Sequence, residues 1–421
     1  VSEAEPVPDL ARRLKQALPP DVYRLLQTAV ELAAAHKLPI YLVGGPVRDL
    51  VLNQPVLDID LVVEGNAWII AEAFQAKVGG KLTKHAAFHT AAIEIDRGGT
   101  PFTIDLVTAR REEYPTPAAL PVVTPAPIHD DLRRRDFTIN TLALRLDMGG
   151  VTLLDPFDGL RDIDAGLVRV LHDQSFYDDP TRILRCARFA ARFRFAVEPH
   201  TTALIRAALA AEMIARTSPQ RILHELWLLL DEPQPEAALA LLHEWGALPQ
   251  LALAWSADWC ALFPAARAAD WPDVPRRLLA FGLLIWPLSQ PQRAAFATRY
   301  NLPNAERKLL HELPPTIPPA LAEPERSALE LEQVLQPYSQ AALRVLHLVA
   351  PPTPAAHILR YCNTIRPLPP LLAGDDLRAR GIPPGPIYRE LLRELRQAQL
   401  NGTLSTPAAA LAWLDQWLSR S

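Results

Sequence analysis

Apolar positions at the start of the chain recur at helical spacing, with Leu25, Leu26, Val30, Leu32 and Ala33 among them, so residues 1–36 read as a helical lead-in. From residue 38 to residue 146 the pattern changes to short β-rich runs alternating with helical ones. Strands are expected at 40–43, 59–63, 90–95 and 102–107, and helices from Val47 and over 67–78. Arg97, Gly98 and Gly99 supply the turn for a hairpin between the last two strands. One more β-like run at 151–154 leads into the turn-rich Asp155-Pro156-Phe157-Asp158-Gly159. Beyond it strand signals nearly vanish and an Ala- and Leu-rich helical pattern takes over. The expected class is therefore α+β, with a mixed sheet in the N-terminal part and helices throughout the remainder. Prolines at 314–324, 351–354 and 367–370 interrupt helix, because proline cannot continue one without kinking it. Domain boundaries are expected near residues 215 and 350, and no repeat of fixed period is present.

Composition narrows the class without naming a chemistry. A chain of 421 residues is long enough for two to four packed units, and 49% apolar with 21% charged residues is a globular balance. Its longest clean apolar run, 278–288, falls short of the roughly 18 residues a membrane span needs, and the charged, proline-containing first 18 residues do not read as a secretory signal. Cys186, Cys260 and Cys362 lie far apart with no paired spacing, which indicates neither a zinc site nor a disulfide framework, so a cytoplasmic setting is expected. The net charge of −4 argues against indiscriminate coating of nucleic acid. Arg133, Arg134, Arg135, Arg182, Arg185, Arg188, Arg192 and Arg194 are nevertheless clustered tightly enough for a local basic site.

The chemistry is carried by carboxylates. Gly44 and Gly45 separate a strand from a helix start, where backbone N–H groups and the helix dipole can hold phosphate. Asp58 and Asp60 flank Ile59, so on a strand their side chains share one face. Set among Val56, Leu57, Leu61, Val62 and Val63, their mutual repulsion calls for a cation, and an oxygen-rich site suits Mg²⁺. Asp105 is a third carboxylate, placed by alternation opposite Phe102, Ile104 and Leu106. Three acidic residues on neighbouring strands fit a two-metal nucleotidyl transfer. Asp179 before Pro180 is a ready helix cap, and Arg182, Arg185, Arg188 and Arg192 fall on one side of the helix that follows, interleaved with Phe189 and Phe193. On these residues alone the blander readings stand beside the functional ones: a plain turn at the glycines, a solvated carboxylate pair, and a solvated basic face. His85 and His89, four apart outside a clear helix, read as packing or polar contacts rather than metal ligands.

Taken together, Leu42-Val-Gly-Gly-Pro-Val-Arg-Asp49, Asp58-Ile-Asp60 and Arg134-Arg-Asp-Phe-Thr-Ile-Asn140 resemble the class II tRNA nucleotidyltransferase and bacterial poly(A) polymerase family. The resemblance continues through Asp155-Pro156 with Gly159, Asp178-Asp-Pro-Thr-Arg182-Ile-Leu-Arg185-Cys-Ala-Arg188-Phe and Arg221-Ile-Leu-His-Glu225, covering about residues 38–250. Gly374-Asp-Asp-Leu377 and Gly381-Ile-Pro-Pro-Gly385 also look like the tail of these enzymes. The resemblance implies a catalytic head at 1–150, a nucleotide-reading neck at 151–215, a helical body at 216–350 and an RNA-binding tail at 351–421. It implies that Gly44, Gly45 and Arg48 meet the phosphates of the incoming nucleotide, and that Asp58 and Asp60 bind metal beside the catalytic Asp105. Arg134 or Arg135 would hold the triphosphate, and Asp136 and Asn140 the ribose. Asp179, Arg182, Arg185 and Arg188 would form the helix that reads the base in place of a template. Asp178 stands where the family usually has Glu, Asn53 where Gly is common and Thr141 where Ala is common. The shorter Asp178 bears on nucleotide selectivity.

The implied reaction is addition of CCA to the 3′ end of tRNA from CTP and ATP with Mg²⁺, the helical part measuring the acceptor arm by shape and phosphate contacts. A specialist adding only CC or only the terminal A is the close rival, since the run 77–95 leaves little room for a long mobile loop. A poly(A) polymerase fits less well because the tail lacks an extended basic segment. A non-catalytic RNA-binding relative would lack a carboxylate or a phosphate-holding arginine, and all are present here. A small-molecule nucleotidyltransferase would not need some 200 helical residues after its nucleotide site.

Overall fold

The computed structural model describes residues 10–56, 58–269 and 271–419. The chain forms two compact units, Val1–Leu251 and Ala252–Ser421. The first opens with helices α1 (Leu10–Ala17) and α2 (Pro20–Ala35), then β1 (Ile40–Val43), α3 (Gly45–Val51), β2 (Ile59–Val63) and α4 (Ala67–Val78). There follow β3 (Lys81–His85), β4 (Thr90–Asp96), β5 (Pro101–Thr108), the hairpin β6 (Arg110–Glu113) and β7 (Val122–Pro125), α5 (Ile128–Arg133), β8 (Ala143–Asp147) and β9 (Gly150–Leu154). The helical half of this unit comprises α6 (Gly159–Asp164), β10 (Leu167–Val168), α7 (Ser175–Asp178), α8 (Thr181–Phe193), β11 (Ala196–Val197), α9 (Pro199–Ala210), α10 (Met213–Arg216), α11 (Pro219–Leu230) and α12 (Pro235–Glu244).

The principal sheet has seven strands in the order β3-β4-β5-β2-β1-β8-β9, antiparallel except for the β2–β5 pair. Alternation along β2 divides its residues between two faces. Val62 packs with Tyr41, Val43 and Ala143 beneath Ile128 and Leu132 of α5. Ile59, Leu61 and Val63 turn to the opposite face, as do Ile104 and Leu106 of β5, and all five are buried. That face is the one α4 covers: α4 packs on β4 and β5 and buries Ile70 and Phe74. Asp60 lies on the α5 side of the sheet by the same alternation.

The expected strands at 40–43 and 59–63 form as β1 and β2, while that at 90–95 and its hairpin partner at 102–107 extend to β4 and β5, with Asp96 opposite Pro101 across the turn. Four further strands of the head lie outside the expected runs. β3 is Lys-Leu-Thr-Lys-His, polar and largely exposed; β6 is Arg-Arg-Glu-Glu, with Arg110 and Glu112 half-buried; β7 is a short run after it; and β8, with Ala143, Leu144 and Leu146 buried, precedes the β9 run. β10 and β11 make a two-residue parallel pair within the segment expected to be wholly helical. Between β3 and β4 the chain needs only a single 3₁₀ turn, Ala86–Phe88, and His89 in the left-handed conformation.

The division between the units falls at residues 251 and 252, inside the stretch assigned to the helical body. The physical reason lies in α8, which packs against α11 and α12, so the expected neck and the first body helices share one core with the head. The second unit is helical, with a terminal cluster in which Leu377, Leu391, Leu395, Ala410 and Leu414 are buried together. Among the described residues no helix is long and apolar enough to cross a membrane.

Candidate active site

Strand pairing brings two of the expected carboxylates side by side. In the parallel β2–β5 register Asp60 lies directly opposite Asp105, with Ile59 opposite Ile104 and Leu61 opposite Leu106. Their side chains therefore share a face. Asp58 sits one residue before β2 and is exposed. Burial pushes the Asp60 carboxyl up to about 6, Arg135 opposing the shift while Asp105 and Asp58 add to it. Asp105 is raised by burial and by Asp58, and nearby His85 draws it down. His89 lies against the Trp68 ring at 6.0 Å between centroids. Among the described residues no three His, Cys, Asp or Glu side chains converge to enclose an ion by themselves.

A cleft of about 450 Å³ opens from Asp60 and runs to Asp179. Gly44, next to the cleft, has φ of 69°, a conformation that favours glycine, and a Cβ there would meet Arg135 Nη1 at 2.5 Å and displace its guanidinium. Gly45 lines the cleft and starts α3. Arg48 is buried on α3, donating to Asp49 Oδ1 at 2.9 Å and to Asn140 Oδ1 at 2.5 Å, while its guanidinium lies over the Phe193 ring at 4.6 Å. Asn140 in turn donates to Asp136 Oδ1 at 2.9 Å. Asp136 is buried, and burial alone would raise its carboxyl, but Arg185 and the Asn140 amide hold it at about 2. Both Asp136 oxygens are committed to protein donors, Oδ2 accepting from Arg185 at 2.8 Å.

Arg134 and Arg135 are oriented by Asp131, a fully buried carboxylate in the first turn of α5. Burial works against its ionised form, and the two guanidiniums more than offset that, lowering its pKa. Arg134 also donates to Glu112 on the β6–β7 hairpin at 3.0 Å, and Tyr114 donates to the other Glu112 oxygen at 3.2 Å. Arg135 Nε is buried with no hydrogen-bond partner.

The base of the cleft is α8. Pro180 is already helical and Asp179 is extended, so Asp179 caps the helix with proline at its first position. Asp179 Oδ1 accepts from Thr181 N at 3.0 Å, Thr181 Oγ at 2.6 Å and Arg221 Nη2 at 2.8 Å, which leaves Oδ2 for another donor. Arg182 is buried and donates to Ser175 Oγ and to the Arg134 carbonyl, each at 2.8 Å. Asp178, the neighbour in the motif, lies outside this cleft and faces His172 at 4.0 Å.

The arginine face of α8 is neither solvated nor bare. Arg185 Nη1 donates to Glu225 at 3.1 Å, Arg188 reaches Glu225 at 3.4 Å and Glu232 at 3.5 Å, and Arg192 pairs with Glu232. With Asp136 these side chains form a ladder of alternating charge that ties α8 to the head on one side and α11 on the other. Glu225 stood within a sequence motif, whereas Glu112, Tyr114, Asp131 and Glu232 carried no signal, because each depends on an arginine supplied by a distant element. Arg188 is the loosest rung, its Nε buried without a partner at the cleft wall. Seven arginines and five carboxylates line the cleft, so it holds an excess of positive charge above Asp60.

Residues 40–169 match the model of the poly A polymerase head domain, and residues 194–257 that of a probable RNA and SrmB-binding site of polymerase A. The chain is 33% identical to the A-adding tRNA nucleotidyltransferase of Halalkalibacterium halodurans, covering 96% of this chain and 95% of that protein. It is 38% identical to the CC-adding tRNA nucleotidyltransferase of Deinococcus radiodurans over 77% of this chain and 85% of that one. The fold matches the Thermotoga maritima CCA-adding enzyme in complex with tRNA with a TM-score of 0.76 and 27% identity, covering 97% of this chain and 98% of that one.

Proposed function

The chain belongs to the tRNA nucleotidyltransferase family and is an RNA nucleotidyltransferase, and from that premise we propose that it builds the 3′ CCA of tRNA from CTP and ATP without a template. The observation that carries this reading is that Asp179 and Arg182, neighbours at the start of α8, line the same cleft as Asp60. Cytosine and adenine each present an exocyclic amine beside a ring-nitrogen acceptor. Asp179 Oδ2 accepts from the amine and the Arg182 fork donates to the ring nitrogen, whereas guanine and uracil present the reverse order of donor and acceptor. Arg182 is preset for this by Ser175 and the Arg134 carbonyl, so little rotamer freedom is lost on binding.

At the other end Gly45, Arg135 and Arg48 take the triphosphate. Asp58 and Asp60, with Asp105 alongside, would hold Mg²⁺. The carboxyl of Asp60, raised by burial and by its acidic neighbours, fits a site that needs a divalent cation. Mg²⁺ binds through one or two carboxylates completed by water and substrate phosphates, so the absence of a closed three-ligand cage is consistent with it. When bound, the metals supply an acidified 3′ hydroxyl and a stabilised pyrophosphate leaving group. Asp136 and Asn140 act by holding Arg185 and Arg48 in the wall of the cleft and, through Asn140, adjoin the ribose.

A second reading, addition of the terminal A alone, is favoured by the name of the Halalkalibacterium halodurans relative, which aligns over nearly the whole chain, and by the short turn between β3 and β4. Incubation with Mg²⁺ and tRNAs ending before CCA, before the last A, or complete, with CTP, ATP or both, separates these by product length. Growth to CCA followed by arrest supports complete addition. Growth by one A only on the CC-ended tRNA identifies the specialist, and no growth on any tRNA refutes both.

A further inference from the structure

Behind the wall made by Glu112, Tyr114, Arg134 and Arg182, the first unit carries a second cavity of about 290 Å³. Those four residues line both spaces, but Gly45, Asp60 and Arg135, the phosphate end of the first cleft, line only the first. The remaining lining of the second cavity is Arg111, Asp130, Arg133, His172 and Asp178.

The charges in this lining are unevenly matched. Arg111 pairs with Glu113 at 3.4 Å, Arg134 with Asp131 and Glu112, and Asp130 and Asp178 each face a histidine, at 3.7 Å and 4.0 Å. Arg133, exposed at the C-terminal end of α5, has no carboxylate within ion-pair distance among the described residues. Arg182, buried, gives its hydrogen bonds to neutral oxygens, while its charge acts on the Asp136 and Asp178 carboxyls. With four arginines against three carboxylates in the lining, and Arg133 the one that is unpaired among the described residues and not used by the nucleotide base, this concave space suits an oxyanion.

The source of that oxyanion follows from the first cleft. A nucleotide spanning from Asp179 to Asp60 has its phosphates at the Asp60 end, away from the wall the two cavities share. The remaining phosphates belong to the RNA, whose terminal nucleotides must lie beside the bound nucleotide to bring the 3′ oxygen to its α-phosphate. We propose that this second cavity is a subsite for a backbone phosphate at the 3′ end of the tRNA, with Arg133 as its principal ligand. The assignment rests on the reading of the first cleft as the nucleotide site.

The test uses the full chain with Arg133→Ala and Arg133→Lys, a CC-ended tRNA and ATP, measured at several salt concentrations. Arg133→Ala is expected to raise KM for tRNA roughly fivefold to tenfold and to flatten the slope of log KM against log salt by about one, while KM for ATP moves less than about twofold. Arg133→Lys retains the charge and restores most of the loss. Circular dichroism and melting temperature confirm that both variants fold. An unchanged KM for tRNA with an unchanged salt slope overturns the proposal, and a rise in KM for ATP instead assigns the cavity to the nucleotide's phosphates and overturns it equally. Extension by the native enzyme with an indifferent Arg133→Ala removes only the subsite, whereas failure of the native enzyme to extend any tRNA takes down the nucleotide reading with it.

Discussion

Replacing Asp60 by asparagine should make the metal-free protein more stable while ending its activity, and the size of the gain follows from the site. The Asp60 carboxyl rises from 3.8 to about 6 because it is half-buried on β2 beside Asp105 and Asp58, Arg135 opposing the shift only in part. At roughly 1.36 kcal/mol per unit, that is at most about 3 kcal/mol of destabilisation carried by the ionised form, and about 2 kcal/mol after allowing for partial solvent screening. The sign is that of a carboxyl raised in the native state. Between pH 3.8 and about 6 the folded protein binds more protons than the unfolded chain, so stability falls as pH rises through this window and stays reduced above it. The amide of the Asp60→Asn variant has no charge to bury, so with a chelator present at pH 7.5 the variant should melt roughly 4–8 °C above the native protein. The gap should narrow as pH falls through about 6 and close only below 3.8, where the carboxyl is protonated in the folded and the unfolded protein alike. Saturating Mg²⁺ should stabilise the native protein, by about 2.7 kcal/mol at a hundred times its dissociation constant, and the variant far less. Calorimetry across pH with and without Mg²⁺, following the transition of the first unit, gives all of these values. No gain at neutral pH, or an equal gain in acid, refutes the account of buried repulsion, and an equal Mg²⁺ shift in both proteins removes Asp60 from the metal site.

Four further outcomes are expected. Arg182→Ala should reduce the preference for ATP over GTP by roughly tenfold to a hundredfold, the worth of one two-point base contact, in single-nucleotide incorporation on a CC-ended tRNA; an unchanged ratio places base reading elsewhere. Glu225→Ala leaves Arg185 and Arg188 short of their shared carboxylate, so denaturant unfolding should show a loss of about 3 kcal/mol, and a loss below about 1 kcal/mol means the ladder is not a structural element. Gly44→Ala puts a Cβ within 2.5 Å of Arg135 at φ of 69°, so KM for the nucleotide should rise and stability fall by about 1–2 kcal/mol, measured by steady-state kinetics and melting. As pH falls through about 6, protons compete with Mg²⁺ for Asp60, so the Mg²⁺ concentration needed for half-maximal incorporation should rise with falling pH, and a flat dependence counts against that site.

The local pattern along this chain determined much of the head. The apolar run 40–43, the alternation at 59–63 and the asparagine-capped helix at 67–78 are decided by neighbours within a few residues, and the structure reproduces these spans. Alternation also put Asp60 on one face of its strand and Asp105 opposite Ile104 and Leu106. Only tertiary pairing decided that the two are adjacent, since the parallel β2–β5 register joins strands separated by α4, β3 and β4. The polar strands β3 and β6 were illegible because their stability comes from hydrogen bonds to a partner strand and not from an apolar face of their own. The arginines of α8 show the same limit most clearly. Spacing placed Arg182, Arg185, Arg188 and Arg192 on one side of a helix, but a guanidinium is a solvated charge, a phosphate ligand or a buried strut according to what faces it. Glu225 and Glu232, brought across by α11 and the turn after it, made Arg185, Arg188 and Arg192 struts, while the neutral oxygens of Ser175 and Arg134 left the charge of Arg182 available to a ligand. Which arginine holds the fold and which meets the substrate is a property of long-range partners, and so belongs to the tertiary structure alone.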